Sequence, residues 1–256
     1  MEQDPGGVLA AVSTRVGGVS NGPYRELNLA YHVGDDPGAV GTNRLRLCAA
    51  LGVKDLTVAD QQHRSNVAVV DDHLRGAGYG SQEDAEVRLR ATDGMVTDLP
   101  GVALAVMVAD CAPLVLFDPA TPALGVAHVG RGGAVLDVVG TTIGAMAEHH
   151  GTDPGAVWAG VGPCIGAAHY EIGGPALEAT AAAFPRNLLT PTSPGHASFD
   201  LLGAVLLRLD QAGVRPANVE VTGMDTFERT DKFFSDRAVR PCGRFMLVAS
   251  LTLNQA

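Results

Sequence analysis

The sequence predicts an α/β (α+β-like) chain: a single layered α/β/α domain with a mixed sheet. Three observations lead there. Short Val- and Leu-rich segments bounded by Gly, Pro or Asp recur along the 256 residues. Several are apolar throughout, as strands covered on both faces are. Helical stripes fall between them in irregular order, which argues against a clean doubly wound sheet.

Strands are expected at 8–13, 66–70, 102–108, 114–117, 123–127, 157–161, 219–222 and 245–251. The first helix opens at the cap Asp36 with Pro37 at its first position and closes before Gly52. A second is expected over 133–150 and a third over 174–184. A fourth starts at Asp200, with Leu202, Val205, Leu206 and Leu209 on one stripe. Residues 73–86, Gly-rich and then acidic, are expected as an exposed insertion loop, and 191–198 as a second loop. No repeat or linker divides residues 1–256, so one domain is expected.

Composition excludes several functions. The net charge is −10, from 28 acids and 18 bases, with 5% aromatic residues and no Lys/Arg-rich run, so nucleic acid is not the expected partner. No stretch of about 18 apolar residues suggests a membrane span. The four cysteines are scattered without a CxxC pair, and the N-terminus lacks an export signal. A reduced, cytoplasmic protein is expected, either a monomer or a weak homodimer.

Chemistry concentrates at strand ends. In "VADCAPLVLF" an apolar run is broken by Asp110 and Cys111 and then by Pro113. Buried cysteines are usually small hydrophobes, but a polar pair in mid-strand would cost about 1–3 kcal/mol to desolvate. Cys111 is therefore a candidate nucleophile or metal ligand at a strand end. In "LGVAHVGRGG" a strand ends in His128 and runs into glycines, among them Gly130, beside Arg131. His63, in "DQQHRSNVAVVD", precedes another strand. Each histidine has an ordinary alternative, as a hydrogen-bonded core group or a solvated loop residue. Taken together, His63, Cys111 and His128 make the His₂Cys set of a catalytic zinc site with an open position.

Arg15 and Asn28, in a polar loop over 13–36, are candidates to hold an anion and a hydroxylated ligand. The backbone at Gly130–Gly133 is a second anion candidate. Tyr170, in "GPCIGAAHYEIG", is a candidate to face a pocket with Glu171.

The ordered series "STRVGGVSNGPYRELNLAYHVGDDPGAVGTNR", "QQH", "ATDGMVTDLPGVALAVMVADCAPLVL", "AHVGRGG", "GPCIGAAHYEIG" and "FFSDR…CGRFMLVASL" resembles the laccase-domain family. That family is also known as multicopper polyphenol oxidase or YfiH-like. The matches span about residues 13–251. The resemblance implies a zinc site at His63, Cys111 and His128, with Asp110 orienting a neighbouring ligand or backbone. It also implies phosphorolysis of adenosine, inosine, guanosine and methylthioadenosine, with adenosine deamination as a side activity. Purine nucleosides and phosphate are then the small-molecule partners.

The sequence departs from the family pattern His-Ala-Gly-Trp-Arg-Gly. Arg131 stands in the tryptophan slot and Gly132 replaces the arginine. Arg64 follows His63 where glycine is common, and Val205 fills a slot that is usually Asn. Three rival readings follow. A copper-dependent polyphenol oxidase is disfavoured by eight histidines with no H-x-H pair. A cysteine hydrolase or amidase, acting on a peptidoglycan precursor, would use Cys111 as nucleophile and His128 as base. A binding homologue with weakened catalysis would retain the fold alone.

Overall fold

A computed structural model describes residues 7–252. The first strand, β1 (Val8–Val12), leads into the polar loop and then α1 (Pro37–Leu51). That helix starts and stops where its sequence signals stand. The Asp36 carboxylate accepts the Ala39 N–H at 2.9 Å, and Gly52 closes the helix at φ +69°. β2 (Thr57–Val58) and β3 (Val67–Val69) bracket the segment that carries His63.

Residues 73–86 are anchored rather than wholly exposed. Ala77 is fully buried, and the Gly78 and Tyr79 carbonyls accept hydrogen bonds from the buried Arg44 at 2.6 and 2.8 Å. A short helix, α2 (Gln82–Arg88), begins inside the segment with Ser81 as its cap.

β4 (Gly94–Thr97), β5 (Ala103–Val108), β6 (Ala112–Asp118) and β7 (Ala123–Val129) follow, and β4, β5 and β7 are buried along their whole length. The helix expected over 133–150 is two helices, α3 (Arg131–Val135) and α4 (Val138–His150). Asp137 makes the break. It adopts φ +61°, which aspartate tolerates better than most residues, and its carboxylate accepts the Gly140 N–H at 3.0 Å.

The chain continues through β8 (Trp158–Val161), β9 (Glu171–Gly173), α5 (Gly174–Ala183), β10 (Leu189–Ser193) and β11 (His196–Phe199). It ends with α6 (Leu201–Gln211), β12 (Val219–Val221) and β13 (Phe245–Leu251). The loop expected at 191–198 is the β10–β11 hairpin. Pro191 lies in β10, an edge strand, where a missing N–H is tolerated.

The α/β class with mixed sheets holds, but the middle layer is doubled. A six-stranded sheet has the order β12-β8-β6-β7-β4-β3, and a four-stranded sheet the order β1-β13-β5-β2. Leu104, Val106 and Leu247 of the smaller sheet pack with Phe117, Leu124 and Val126 of the larger one. The outer face of the larger sheet is covered by α4 and α6, through residues such as Ile143, Met146, Val205 and Leu209. Leu47 and Cys48 of α1 cover the outer face of the smaller sheet beside Met107 and Met246. β13 is buried at all seven positions, which is why it reads as a continuous apolar run.

One feature of this architecture positions the site. β5 belongs to the four-stranded sheet and β6 to the six-stranded one, so residues 109–111 carry the chain from one sheet to the other. Asp110 turns that corner at φ +84°. Cys111 therefore emerges at the seam between the sheets.

Candidate functional site

Two strand registers bring distant residues to this seam. Pro113 of β6 pairs with His128 of β7, which sets Cys111 beside the end of β7. Gly94 of β4 pairs with Ala127 of β7, so Asp93, one residue earlier, meets His128. The His128 N–H donates to the Asp93 carbonyl at 2.8 Å, and His128 Nδ1 lies 2.8 Å from Asp93 Oδ1. Both side chains are buried. An ionised carboxylate only accepts, so Nδ1 carries the proton and Nε2 is left as the donor atom.

The same carboxylate holds His63. Asp93 accepts the backbone N–H groups of Gln62, His63 and Arg64 at 3.1, 3.0 and 2.7 Å. His63 itself adopts φ +55°, a conformation that folds the loop around the acid. Gln61 braces the loop from its other side, exchanging two 2.8 Å hydrogen bonds with the Met107 backbone.

These supports converge on three donors. His63 Nε2 lies 3.7 Å from Cys111 Sγ, and the ligand atoms of His63, Cys111 and His128 all fall within 4.8 Å of one another. The rings of His63 and His128 meet edge to face at 4.8 Å. Gly130 closes the cradle: a Cβ there would stand 2.7 Å from His63 Cδ2 and 2.8 Å from Cys111 Sγ. The set, one soft sulfur and two imidazoles with one imidazole held by a carboxylate, fits a tetrahedral cation with an open position.

The residues polarise one another. Burial alone would push the Cys111 thiol up, but His128 and then His63 bring it down to about 6. Burial alone would push His128 down, but Cys111 and Asp93 raise it to about 9. Burial likewise opposes the Asp93 charge, and its bond to His128 and the backbone N–H groups overcome that and lower its pKa. Each side chain thus favours the charged form of the other.

The sequence model for "Multi-copper polyphenol oxidoreductase laccase" matches residues 9–252. The chain belongs to this family. Among laccase-family relatives, it is 39% identical over 236 residues to "Purine nucleoside phosphorylase ORF3" of Streptomyces griseus, covering 91% of this chain and 90% of that protein. It is 31% identical over 239 residues to "Purine nucleoside phosphorylase YlmD" of Geobacillus stearothermophilus, covering 91% and 86%. The crystal structure of that YlmD superposes with a TM-score of 0.92 at 29% identity, covering 98% of this chain and 94% of that one. "Bacillus licheniformis hypothetical protein YfiH" superposes at 0.91, also at 29% identity, covering 96% and 93%.

In this laccase-family chain the donors open into a cavity of about 290 Å³. Tyr170 lines it, as the sequence suggested. Its other walls include residues the sequence did not single out: His32, Gln61, Arg237, Arg240 and Arg244. Asp110 steers one of them. Its carboxylate accepts the Thr226 hydroxyl at 2.6 Å and the Arg237 backbone N–H at 2.7 Å. Asp110 thus orients backbone, one of the two roles expected for it.

Arg15 and Asn28 are not brought to this cavity. Arg15 spends Nε and Nη2 on the Arg25 carbonyl and Nη1 on the Thr230 carbonyl, with its guanidinium 4.5 Å from the Phe234 ring centre. Asn28 is fully buried. Its amide donates to Ala30 and Asp35, and its oxygen accepts from Ala30 and Arg244. Both tie the polar loop together. Arg131 reaches the Ala176 carbonyl at 3.4 Å, in α5. Gly132 has a local reason to lack a side chain, since a Cβ would stand 2.9 Å from the His63 carbonyl oxygen. The five-residue α3 is too short to act as a strong dipole for an anion at Gly130–Gly133.

A second group, His169, Asp225 and Glu228, also draws its ligand atoms within 4.8 Å. His169 Nδ1 is already committed to Asp225 at 2.8 Å, and its ring stacks on Phe227 at 4.2 Å. Among the described residues no helix is long and apolar enough to cross a membrane.

Proposed function

We propose that this protein is a zinc-dependent purine nucleoside phosphorylase that acts on adenosine, inosine, guanosine and methylthioadenosine, with adenosine deamination as a side activity. The observation that carries this reading is the convergence of His63, Cys111 and His128 on one point beside a cavity. Relatives named purine nucleoside phosphorylase, at 31–40% identity, support the reaction class. Zinc is favoured over a multicopper cluster because the donors meeting here suffice for one ion.

In phosphorolysis an oxygen of hydrogen phosphate forms a bond to the ribose C1′ as the C1′–N bond to the purine breaks. The bonding pair leaves with the base, and the proton of hydrogen phosphate ends on the base nitrogen. The products are ribose 1-phosphate and free purine. Zinc, when bound, supplies Lewis acidity that keeps the Cys111 sulfur deprotonated and polarises a substrate atom or water. The chain's own part is positional: Asp93 fixes His128 and the His63 loop, and Tyr170 walls the cavity.

The experiment is to purify the protein without added metal, measure zinc and copper content, and assay inosine and adenosine with and without phosphate. About one zinc per chain, lost in Cys111→Ala, with phosphate-dependent base release, supports the reading. A metal-free protein indifferent to phosphate sinks it.

A second reading rests on the succession Cys111–His128–Asp93, which is the arrangement of a cysteine hydrolase: nucleophile, base and orienting acid. His63 disfavours it, because a second imidazole 3.7 Å from the sulfur adds a ligand that nucleophilic catalysis does not need. Bound zinc would block the thiolate, so rapid alkylation of Cys111 in the protein as purified would favour the hydrolase.

A further inference from the structure

Phosphorolysis requires a place for an anion, and the two places suggested by the sequence are spent or weak. Arg15 has every fork of its guanidinium bonded to a carbonyl. The cavity itself carries a different cationic group. Arg237, Arg240 and Arg244 line it together, in a chain whose net charge is −10.

The three arginines are not equally free. Arg240 Nη2 lies 2.6 Å from Asp236 Oδ2, and Arg244 Nη2 lies 3.5 Å from Asp236 Oδ1, so one carboxylate serves two guanidiniums. Arg244 Nη1 is also bonded to the Cys242 and Gly243 carbonyls at 3.0 Å. Among the described residues Arg237 pairs with no carboxylate. Its backbone is pinned by Asp110 at 2.7 Å. Its Nη1 donates to the Glu171 carbonyl at 2.9 Å, and its guanidinium lies 5.2 Å from the centre of the Tyr170 ring.

This leaves the Nε–Nη2 edge of Arg237 without a protein acceptor among the described residues. It is the edge that presents two parallel N–H groups to an oxyanion. A guanidinium anchored at backbone and at one terminal nitrogen loses little freedom when the opposite edge binds. His32 registers the same field: burial first, and then the positive charge of Arg244, hold its imidazole below the usual range.

We infer that Arg237 is the phosphate-binding residue of this site. Its free edge takes two oxygens of inorganic phosphate, with Arg244 supplying further positive charge and Arg240 drawing the anion to the mouth. The inference rests on the phosphorylase reading for the identity of the anion, and on the cavity geometry for its place.

The test uses the metal-loaded full chain, as wild type and as Arg237→Gln and Arg237→Lys. Inorganic phosphate is titrated calorimetrically, and base release from inosine is measured while each substrate is varied in turn. Arg237→Gln is expected to weaken phosphate binding and raise the KM for phosphate by about 30-fold, as loss of a charge-assisted pair of bonds does. The KM for inosine and the zinc content should stay within about threefold, as remote structure is retained. Arg237→Lys should recover part of the loss, because it keeps the charge but lacks the fork.

Equal phosphate binding by wild type and Arg237→Gln overturns the inference, as does an equal rise in both KM values. Phosphate-dependent base release that is insensitive to Arg237 likewise overturns it while leaving the phosphorylase reading intact. Phosphate binding through Arg237 in a protein that releases no base supports the anion site and removes the phosphorylase reading. Should Arg237→Gln fail to fold, the same titration with Arg237→Lys and Arg244→Gln decides: unchanged phosphate affinity in both overturns the inference.

Discussion

Asp93 Oδ1 lies 2.8 Å from His128 Nδ1, and the same carboxylate gathers three successive backbone N–H groups around His63. One buried acid therefore fixes both imidazoles of the donor set, one through its ring and the other through its loop. Cys111 is fixed independently, by the passage of the chain between two sheets.

Asp93→Asn tests that linkage. The amide keeps one acceptor oxygen, but its NH₂ must face either an N–H of the His63 loop or the proton on His128 Nδ1. Zinc affinity, measured by competition with a chromogenic chelator, should fall about 10–100-fold. Loss of the buried acceptor should also cost about 1–3 kcal/mol in denaturant unfolding. Unchanged zinc affinity would mean that the carboxylate serves the fold alone.

Gly130→Ala tests the cradle from the other side. The added methyl would press on His63 Cδ2 at 2.7 Å and Cys111 Sγ at 2.8 Å, so a donor must move. Zinc affinity should fall at least about 10-fold, with an overpacking cost of about 1–3 kcal/mol. A variant that holds zinc as tightly as wild type would show that the cradle relaxes freely.

Arg15→Gln separates structure from chemistry. Three hydrogen bonds to the Arg25 and Thr230 carbonyls and the contact with Phe234 would be lost. Stability should drop by about 1–2 kcal/mol, while KM values for nucleoside and phosphate stay within about twofold. A selective rise in the phosphate KM would return Arg15 to the site and count against Arg237.

The sequence made local features legible and tertiary ones obscure. Asp36, Pro37 and Gly52 delimit α1 because caps act within a turn of the residues that signal them. Cys111 and His128 stand out because polar groups ending apolar strands are costly wherever they are buried. Nothing near Asp93 distinguishes it from other acids beside a glycine; its role exists only through the β4–β7 register and a loop 30 residues away. Arg237 ends the "FFSDR" segment that carries the family resemblance, but nothing there marks it as free, since its freedom depends on which carbonyls receive Nη1. Arg15, by contrast, looks available in sequence and is spent in the fold. The doubled sheet was also unreadable, because an apolar strand does not record whether a helix or another sheet covers it.

Metal-free protein should show a stability plateau that reports the Cys111–His128 pair. His128 is raised to about 9 from 6.5, so its contribution is complete below 6.5 and is lost as the pH rises through about 9. Cys111 is lowered to about 6 from 9.0, so its contribution is complete above 9.0 and is lost as the pH falls through about 6. Between about 6.5 and 9 the folded pair holds one proton on the imidazole, and the unfolded chain holds one on the thiol. Proton counts match there, so the slope of stability with pH is zero. Below this window the unfolded state binds the extra proton first, at 6.5 against about 6; above it both states release their remaining proton near pH 9, so the counts stay matched. The pair's contribution should therefore decline on the acid side alone. The measurement is chemical denaturation of chelator-stripped protein across pH 5–10, with the Cys111→Ala/His128→Gln double variant subtracted to remove other groups. A slope inside that window would mean that the folded pair does not hold a single proton there. Because a neutral thiol and imidazole hold the same proton count, the ultraviolet absorption of the thiolate, compared with Cys111→Ala, tells the two apart. Its absence at about pH 7.5 would mean that the thiolate forms only when a cation holds it.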